Sequence, residues 1–411
     1  MQDGAASPGE PPPSLAPDAA GVPPTPPPPP IDAAPSAPPP APTPPPGPFV
    51  PGPSQKSIAV YDENTVVDLQ LTFPPGEWPK LLVPVGPGDL RWVRCSITFK
   101  GETFPTAACR RKGNAIDWPL EGKPQMLVRF NFFDKQARFQ GLRRFNLEHF
   151  DGAEAPIRDR LGMWLMRQAG IDAPRVNHAR VFVDGQLFGV YQNIEAIDKE
   201  FLEDHFGPEG EGNLWESADE LKTNEAVNNQ SELVAWDQLI AAEPLEGDHT
   251  AFWAKLDQMM DIDQVLREMA AETALLSDDN FSNGSSNFYL YDHPRLGFQI
   301  LPWDLDTILT SVPANSDPFA FWNTSPPNKL RLLMNQNPAW KARFVDQVVE
   351  IRDQILVRMP AEVDRICNQI REPIRLDPKR TATFQDFEAD CQNVKSGVAA
   401  RIAALKTLLG R

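Results

Sequence analysis

The chain has 411 residues and a formal net charge of -17, because 56 acidic residues outnumber 39 lysines and arginines. This acidity argues against a nucleic-acid-binding surface, since contacts to phosphates need a basic patch, and it favours a basic protein or peptide as the partner. No run of residues is apolar for long enough to predict a transmembrane helix.

Proline marks the first part of the chain. About half of the 45 prolines lie before residue 54, in runs such as PPTPPPPP. Such a segment has little to bury and stays extended and solvated. We therefore expect residues 1–54 to be a disordered proline-rich tether and residues 55–411 to be the folded domain. The tether suits an extracytoplasmic protein, secreted or held at the cell surface as a lipoprotein, whose leader has been removed and whose tether keeps the domain off a membrane.

The first half of the folded domain has the periodicity of strands. Apolar and polar residues alternate in several segments, as they do in half-buried strands. A helix is predicted over residues 155–170, and Asp184-Gly185 predicts the turn of a hairpin. We expect an antiparallel sheet lobe over residues 55–198. The segments with strand periodicity are residues 65–73, 91–114, 125–133, 143–150 and 175–196.

The second half is mainly helical, apart from a predicted hairpin over residues 287–303. Strands first and helices later predict an α+β fold with a helical lobe over residues 199–411. The predicted helices cover residues 198–206, 230–242, 249–260, 261–276, 338–359 and 387–410.

Four cysteines are present, without the CxxC spacing of a zinc site. Two local disulfides, Cys95–Cys109 and Cys367–Cys391, suit an exported protein. Four buried thiols are the alternative, because a sequence does not fix connectivity.

Carboxylates are the main candidates for chemistry, since the chain has no Walker loop, GxSxG elbow or HExxH helix. Asp278 and Asp279 follow a long predicted helix, where the negative end of the helix dipole disfavours acids. Asn287 precedes one strand of the hairpin, and Asp304 and Asp306 follow the other. Oxygens brought together by a hairpin suit Mg²⁺, with nucleotide phosphates as further ligands. The alternative is a set of solvated loop acids and turn-forming asparagines.

Several blocks in order resemble the CotH kinase family, the atypical protein kinases named after a spore coat protein. The resemblance extends from about Cys109 to Arg352 and implies an atypical protein-kinase-like fold, with an antiparallel-sheet N-lobe and a mainly helical C-lobe. The blocks are RRKGN, GKPQMLVRFNF, FVDGQLFGVYQNIEAIDKEFLEDHFG, GNLWE, and DNFSNGSSNFYLY with LPWDLD.

The resemblance also implies roles for the acids. Asp279 matches the catalytic aspartate, which orients the acceptor hydroxyl of a serine or threonine. Asn287 and Asp304 match the positions that bind Mg²⁺ or Mn²⁺, with Asp306 assisting. The family's usual arginine in the first block is Lys112 here, which weakens a bidentate phosphate contact to a point charge.

Further residues are implied to bind ATP. Tyr191 and Trp303 resemble an aromatic pair that sandwiches adenine. Lys123 and Arg129 are the candidates for phosphate contacts, and Glu195 is placed to orient one of them. The alternatives are a core position for Trp303, a solvated Lys123 and a helix-capping Glu195.

The resemblance implies a kinase that transfers the ATP γ-phosphate to serine or threonine of a secreted or surface protein, with a basic acceptor favoured by the charge. Two alternatives use the same residues differently. One is a surface binding or adhesion module on a kinase-like fold, and the other is a calcium-stabilised structural domain. The acceptor, the oligomeric state and the choice of cation do not follow from the sequence.

Overall fold

The computed structural model describes residues 59–82, 91–112, 123–148, 155–322, 326–380 and 382–411. These residues all belong to one compact unit, Pro51–Arg411. The predicted tether over residues 1–54 lies outside the described part of the chain.

A closed barrel forms from seven strands among the described residues. Its strand order is β1-β2-β3-β4-β5-β7-β6, and all neighbours are antiparallel except β1 and β6. The parallel pair closes the barrel, so the predicted antiparallel sheet is antiparallel except between β1 and β6. The strands are β1 (Val66–Thr72), β2 (Val93–Phe99), β3 (Glu102–Arg111), β4 (Met126–Arg129), β5 (Arg144–Glu148), β6 (Val176–Val183) and β7 (Gln186–Glu195).

The alternation of side chains fills the barrel. On β4, Met126 and Val128 are fully buried in the barrel core, and Leu127 between them faces outward into the space beside the barrel. The hairpin between β6 and β7 turns at Asp184 and Gly185, which both have positive φ. Positive φ at both turn positions gives the twist of a two-residue hairpin, as the sequence predicted.

A second sheet of four strands has the order β11-β10-β8-β9. The predicted hairpin over residues 287–303 supplies β10 and β11, and the GNLWE segment supplies a strand that the sequence did not reveal. These strands are β8 (Leu214–Glu216), β9 (Glu220–Leu221), β10 (Phe288–His293) and β11 (Gly297–Pro302).

The predicted helices are present, with one break. The helix expected over residues 338–359 ends at Gln354, a 3₁₀ turn follows, and a new helix begins at Met359. Pro360 lies in the first turn of the new helix, where its missing N–H costs no hydrogen bond. The helices are α1 (Glu77–Leu82), α2 (Arg158–Gln168), α3 (Lys199–Phe206), α4 (Ser231–Ala242), α5 (Thr250–Met259), α6 (Ile262–Leu275), α7 (Phe281–Gly284), α8 (Lys329–Asn335), α9 (Pro338–Gln354), α10 (Met359–Leu376) and α11 (Phe384–Leu409).

Side-chain caps begin several of these helices. Asp198 accepts hydrogen bonds from the second and third residues of α3, and Asp261 caps α6 in a similar way. Thr383 and Asp386 form a reciprocal capping box at α11. No helix in the described ranges is long and apolar enough to cross a membrane.

The C-terminal helices are fastened to the rest by covalent and ionic contacts. A disulfide joins Cys367 of α10 to Cys391 of α11. Arg158 of α2 makes a bidentate, buried ion pair with Asp390 of α11, at 2.8 and 2.9 Å. A buried guanidinium–carboxylate fork of this kind is costly to break, because it leaves the other charge alone in the interior.

The other predicted disulfide is absent, because Cys95 and Cys109 are buried free thiols. Cys95 lies opposite Ala107, and Cys109 lies opposite Val93, so the two cysteines are diagonal neighbours. Diagonal neighbours are about 7 Å apart, which is wider than the usual Cα spacing of a disulfide. Burial, and then the Cys95 thiol, raises the pKa of Cys109.

Thiol counting tests this pattern. The protein unfolded without reductant should react with Ellman's reagent at two cysteines, and the reduced protein at four. Loss of the Cys367–Cys391 bond in Cys367→Ser should lower the free energy of unfolding by about 3 kcal/mol, the scale for a loop of this length. If no thiol reacted before reduction, Cys95 and Cys109 would be joined by a disulfide after all.

Candidate functional site

A cavity of about 580 Å³ lies between the outer face of the barrel and the small sheet. Strands β3, β4 and β5 form one wall, and β8, β9, β10 and the residues after β11 form the other. Its lining residues are Arg110, Lys112, Gln125, Leu127, Arg144, Asn146, Ala196, Glu216, Ser217, Glu220, Lys222, Asn287, Phe288, Tyr289, Trp303 and Asp304.

A lysine–glutamate ion pair belongs to the barrel wall. Lys112, just after β3, donates from Nζ to Oε1 of Glu148 at the end of β5. The same ammonium lies 4.8 Å from the ring centroid of Trp303 on the opposite wall. Burial disfavours the charged amine, but the Glu148 and Asp304 carboxylates raise the pKa of Lys112. Lys112 is therefore a fixed positive charge inside the cavity.

Asp279 lies in the loop between α6 and β10. Its carboxylate is exposed and accepts a hydrogen bond from the Ser286 hydroxyl at 2.6 Å. The backbone oxygen of Asp279 accepts from the amide of Asn287 at 3.0 Å. Asn287 lines the cavity and has a positive φ of 51°. The loop thus places Asp279 next to a cavity residue.

Buried polar side chains hold this loop from beneath. Asn280 accepts from the N–H of Asn283 and donates to Ser277, and it has no exposed surface. Asn283 donates to the backbone oxygen of Asp278 and accepts from the N–H of Trp322. The fully buried amide of Asn283 therefore anchors the loop.

A glutamate of α6 completes this support. Glu272 is 1% exposed and accepts from the backbone N–H of Ser282 at 3.0 Å. Burial raises the pKa of Glu272, and also that of its neighbour Glu268, which has no other hydrogen-bond partner among the described residues. Neither residue stood out in the sequence, because acids on a helix usually face solvent.

Asp304 and Asp306 lie close to other acids. Burial, followed by the charge of Glu148, raises the pKa of Asp304 to about 6. Burial and the charge of Asp304 raise the pKa of Asp306 to about 8. Asp159 of α2, which is 2% exposed, has a raised pKa through burial and these same acids. Lys112 only partly offsets this concentration of negative charge.

Trp303 and Tyr191 are not an aromatic sandwich. Trp303 lines the cavity and packs edge-on against Tyr289, with ring centroids 5.8 Å apart. Tyr191 is 1% exposed and belongs to the barrel core, and its hydroxyl donates to the oxygen of Pro124 at 3.0 Å. The expected adenine contact with Tyr191 is therefore corrected, because the pleat of β7 directs this side chain inward.

The expected phosphate contact of Lys123 is also corrected. Its ammonium is buried, donates to Asp377 at 2.7 Å and lies 4.9 Å from the ring of Tyr191. Asp377 also accepts from the N–H of Val190 at 2.8 Å. Lys123 thus joins the end of α10 to the barrel, and it does not line the cavity.

Glu195 does not line the cavity either. It is 2% exposed, and Arg175 donates to it from Nε at 2.9 Å. His205 lies 4.0 Å away and is itself bonded to Asp172. The expected contact of Glu195 with Lys123 or Arg129 is corrected. The cap of α3 is Asp198, not Glu195.

Arg129 and Asp306 lie beside the cavity without lining it. Arg129 donates from Nε to Asn131 at 2.8 Å and is directly opposite Arg144, which does line the cavity. Of the nine residues singled out from the sequence, Asn287, Trp303 and Asp304 line it. Lys112 and Glu148 were missed as a pair, although Lys112 stood out as a departure from the family pattern.

The donor set suits a hard cation only in part. In the described part of the chain, no three His, Cys, Asp or Glu side chains converge closely enough to hold a metal ion. Asp304 and Asn287 do offer oxygens along one cavity wall. Mg²⁺ accepts such a small set when phosphate and water oxygens complete its shell.

Fold and cavity together define an α+β protein with a charged cavity between a barrel and a small sheet. The family model for CotH kinase protein matches residues 121–405. This match covers most of the chain, and the chain belongs to the CotH kinase protein family.

A search of curated proteins found no match. A solved complex of the Shewanella oneidensis MR-1 toxin–antitoxin proteins HipA and HipB with operator DNA is similar over 82% of this chain and 84% of that chain, with 13% identity and a TM-score of 0.36.

The cluster of Glu195 and His205 predicts a pH-dependent stability. Burial opposes both charges, but hydrogen bonds and ion pairs lower the pKa of Glu195 to about 2 and raise that of His205 to about 9. The contribution of His205 is complete below its unfolded pKa of about 6.5 and is lost as pH rises through 9. That of Glu195 is complete above about 4.5 and is lost as pH falls through 2.

Glu195→Gln should therefore lower the free energy of unfolding by about 3 kcal/mol near pH 6 and by less above pH 9. Urea unfolding across this pH range measures the effect, and Glu203→Gln, an exposed acid on α3, is the control. If Glu195→Gln left the free energy of unfolding unchanged but abolished ATP binding, Glu195 would instead belong to the phosphate site.

Proposed function

We propose that this protein is an atypical protein kinase that transfers the ATP γ-phosphate to serine or threonine of a protein acceptor. The observation that carries the proposal is one cavity lined by Lys112, Asn287 and Asp304, in which the Lys112 ammonium is bonded to the carboxylate of Glu148 behind it. A lysine oriented by a glutamate, with Asn and Asp oxygens nearby, is the equipment that phosphoryl transfer from a nucleotide requires. Membership of the CotH kinase protein family supports the same activity.

In this proposal, Lys112 contacts the phosphates and Glu148 fixes the direction of its ammonium. Asp304 and Asn287 would hold Mg²⁺ or Mn²⁺, which when bound neutralises charge on the phosphates. Asp279 accepts the hydrogen bond of the acceptor hydroxyl. The serine hydroxyl of Ser286, which donates to Asp279 at 2.6 Å, supports this role, because it has the chemistry of the acceptor.

Buried hydrogen bonds hold the loop around Asp279 in a fixed position. A carboxylate that orients an incoming hydroxyl must be held within a fraction of an ångström. Asn280, Asn283 and Glu272 bind the backbone around Asp279 through buried hydrogen bonds, so the exposed acid is carried by a rigid support.

We also propose an extracytoplasmic location. The Cys367–Cys391 disulfide supports it, because disulfides persist in oxidising compartments. A thiol–disulfide count on protein isolated from its native source, with free thiols blocked during lysis, tests the location.

Three substitutions separate nucleotide binding from transfer. Mg-ATP should raise the melting temperature of the wild-type protein, and this rise should disappear in Lys112→Met and Asp304→Asn. Asp279→Asn should keep the rise but lower phosphate transfer by about 100-fold or more, because it removes an oriented proton acceptor. Labelled ATP with a serine-containing acceptor protein measures transfer.

Asp257→Asn, an exposed acid on α5, is the matched control and should behave as wild type. Transfer that survives in both Asp279→Asn and Asp304→Asn would sink the assignment of these residues. A melting temperature that Mg-ATP does not change in the wild type would favour the binding or adhesion module over a kinase.

A further inference from the structure

We infer that the outer surface of β2–β5 is a docking surface for an acidic segment of the protein acceptor. The surface, called here the arginine face, consists of Arg94, Arg110, Arg129 and Arg144. That the acidic segment belongs to the acceptor rests on the proposed kinase function. That an acidic segment binds the arginine face is tested without catalysis.

The segments that contain β2–β5 have a net positive charge, whereas the whole chain has a net negative charge. Residues 91–112 and 123–148 contain twelve lysines and arginines and only three acidic residues. The whole chain has 39 basic and 56 acidic residues. The strands β2–β5 are therefore a basic region on an acidic protein, and the net charge misrepresents the surface next to the cavity.

Strand register brings the arginines together. Arg94 lies opposite Ala108, Ala108 opposite Arg129, and Arg129 opposite Arg144. These positions form one cross-strand row on the outer face, and Arg110 lies two residues along β3 from the row. Arg110 and Arg144 line the cavity, so the row extends from the candidate active site onto the barrel surface.

Like charges directly opposite each other are unfavourable, so an anion bound at Arg129 and Arg144 would relieve their mutual repulsion. Burial, and then the charges of neighbouring arginines, lowers the pKa of both Arg110 and Arg129. Among the described residues, Arg144 is the only member of the face whose guanidinium lies within 4 Å of a carboxylate, that of Asp198. The Nε of Arg110 has no hydrogen-bond partner in this part of the chain.

Aromatic rings hold the arginines in place. The guanidinium of Arg94 lies 4.3 Å from the ring centroid of Phe133, and that of Arg110 lies 5.2 Å from the ring centroid of Trp92. Phe133 is 47% exposed. Stacked arginines keep their N–H edges available, which are the edges that bind carboxylates in bidentate pairs. Arginine with exposed aromatic residues is also the composition of interface hot spots.

A second basic pocket continues the surface. A pocket of about 460 Å³ is lined by Arg138, Arg143 and Lys199, among others, and Arg143 is the residue before Arg144. Buried Glu200 pairs with both Arg138 and Arg143 and fixes their positions. The basic surface thus continues around the start of β5, where four lysines and arginines outnumber the two acids, Glu200 and Glu203, that also line the pocket.

An acidic protein segment suits this surface better than a nucleic acid. A nucleic acid is a long polyanion and would extend past the arginine face onto a chain that is strongly acidic elsewhere. A short acidic segment ends within the basic region. The partner expected from net charge alone was basic, and the arginine face favours the opposite.

Fluorescence anisotropy with the full chain tests docking. The probes are a labelled Asp/Glu-rich peptide that contains one serine, its Lys/Arg-rich counterpart, and a labelled single-stranded oligonucleotide. The acidic peptide should bind, more weakly as salt increases, and Arg94→Glu should weaken it about fivefold or more. Arg94→Lys should retain most of the affinity, and Lys255→Glu, the same charge change on α5, should have no effect.

The outcomes separate the two proposals. Acidic-peptide binding that is lost in Arg94→Glu supports docking even if no phosphate is transferred, which would count against the kinase alone. With transfer present, Arg94→Glu should raise KM for the acidic peptide and leave kcat unchanged. Preference for the basic peptide, equal binding by Arg94→Glu, or tighter binding of the oligonucleotide through Arg94 would each overturn the docking proposal.

Discussion

The alternation of side chains on β3, β4 and β5 is the constraint on which the rest of the molecule depends. One set of residues on each strand fills the barrel core, and the set between them forms the cavity wall. On β5, Phe145 and Leu147 point inward, while Arg144, Asn146 and Glu148 point outward. A slip of one residue in register would bury those charges and expose the core, so packing of the barrel also fixes the cavity.

The two sides of the cavity are held by different means. The barrel side is rigid because its backbone hydrogen bonds close on themselves. The loop that contains Asp279 has no such ladder, and buried amides of Asn280 and Asn283 replace it. Each of these polar groups is satisfied by backbone, which offsets the cost of burying them. Accuracy on the loop side therefore comes from side-chain hydrogen bonds, and it is sensitive to single substitutions there.

Local patterns in the sequence predicted most elements and part of the site. Turn residues such as Asp184-Gly185 and caps such as Asp261 act over a few residues, so they are readable in the sequence. Alternation does not tell which face of a strand points inward, so it did not contradict the adenine contact that the family resemblance implied for Tyr191, which lies in the core.

Long-range partners were not predictable either. Lys123 meets a carboxylate 254 residues further along the chain, and the parallel pairing of β1 with β6 closes the barrel across more than 100 residues. Glu195 was assigned by analogy of residue type, but its partner Arg175 is set by the β7 register. The two metal-site candidates from the family blocks, Asn287 and Asp304, do line one cavity, because the hairpin of β10 and β11 brings them together locally.

Asp377 has a consequence for how the protein is made. This single carboxylate at the end of α10 receives Lys123 and two backbone N–H groups, of Val190 and Lys379. During synthesis the barrel strands emerge well before residue 377, so the ion pair of Lys123 with Asp377 forms only when the chain is nearly complete. The contact that joins the end of α10 to the barrel is consequently among the last that the growing chain makes.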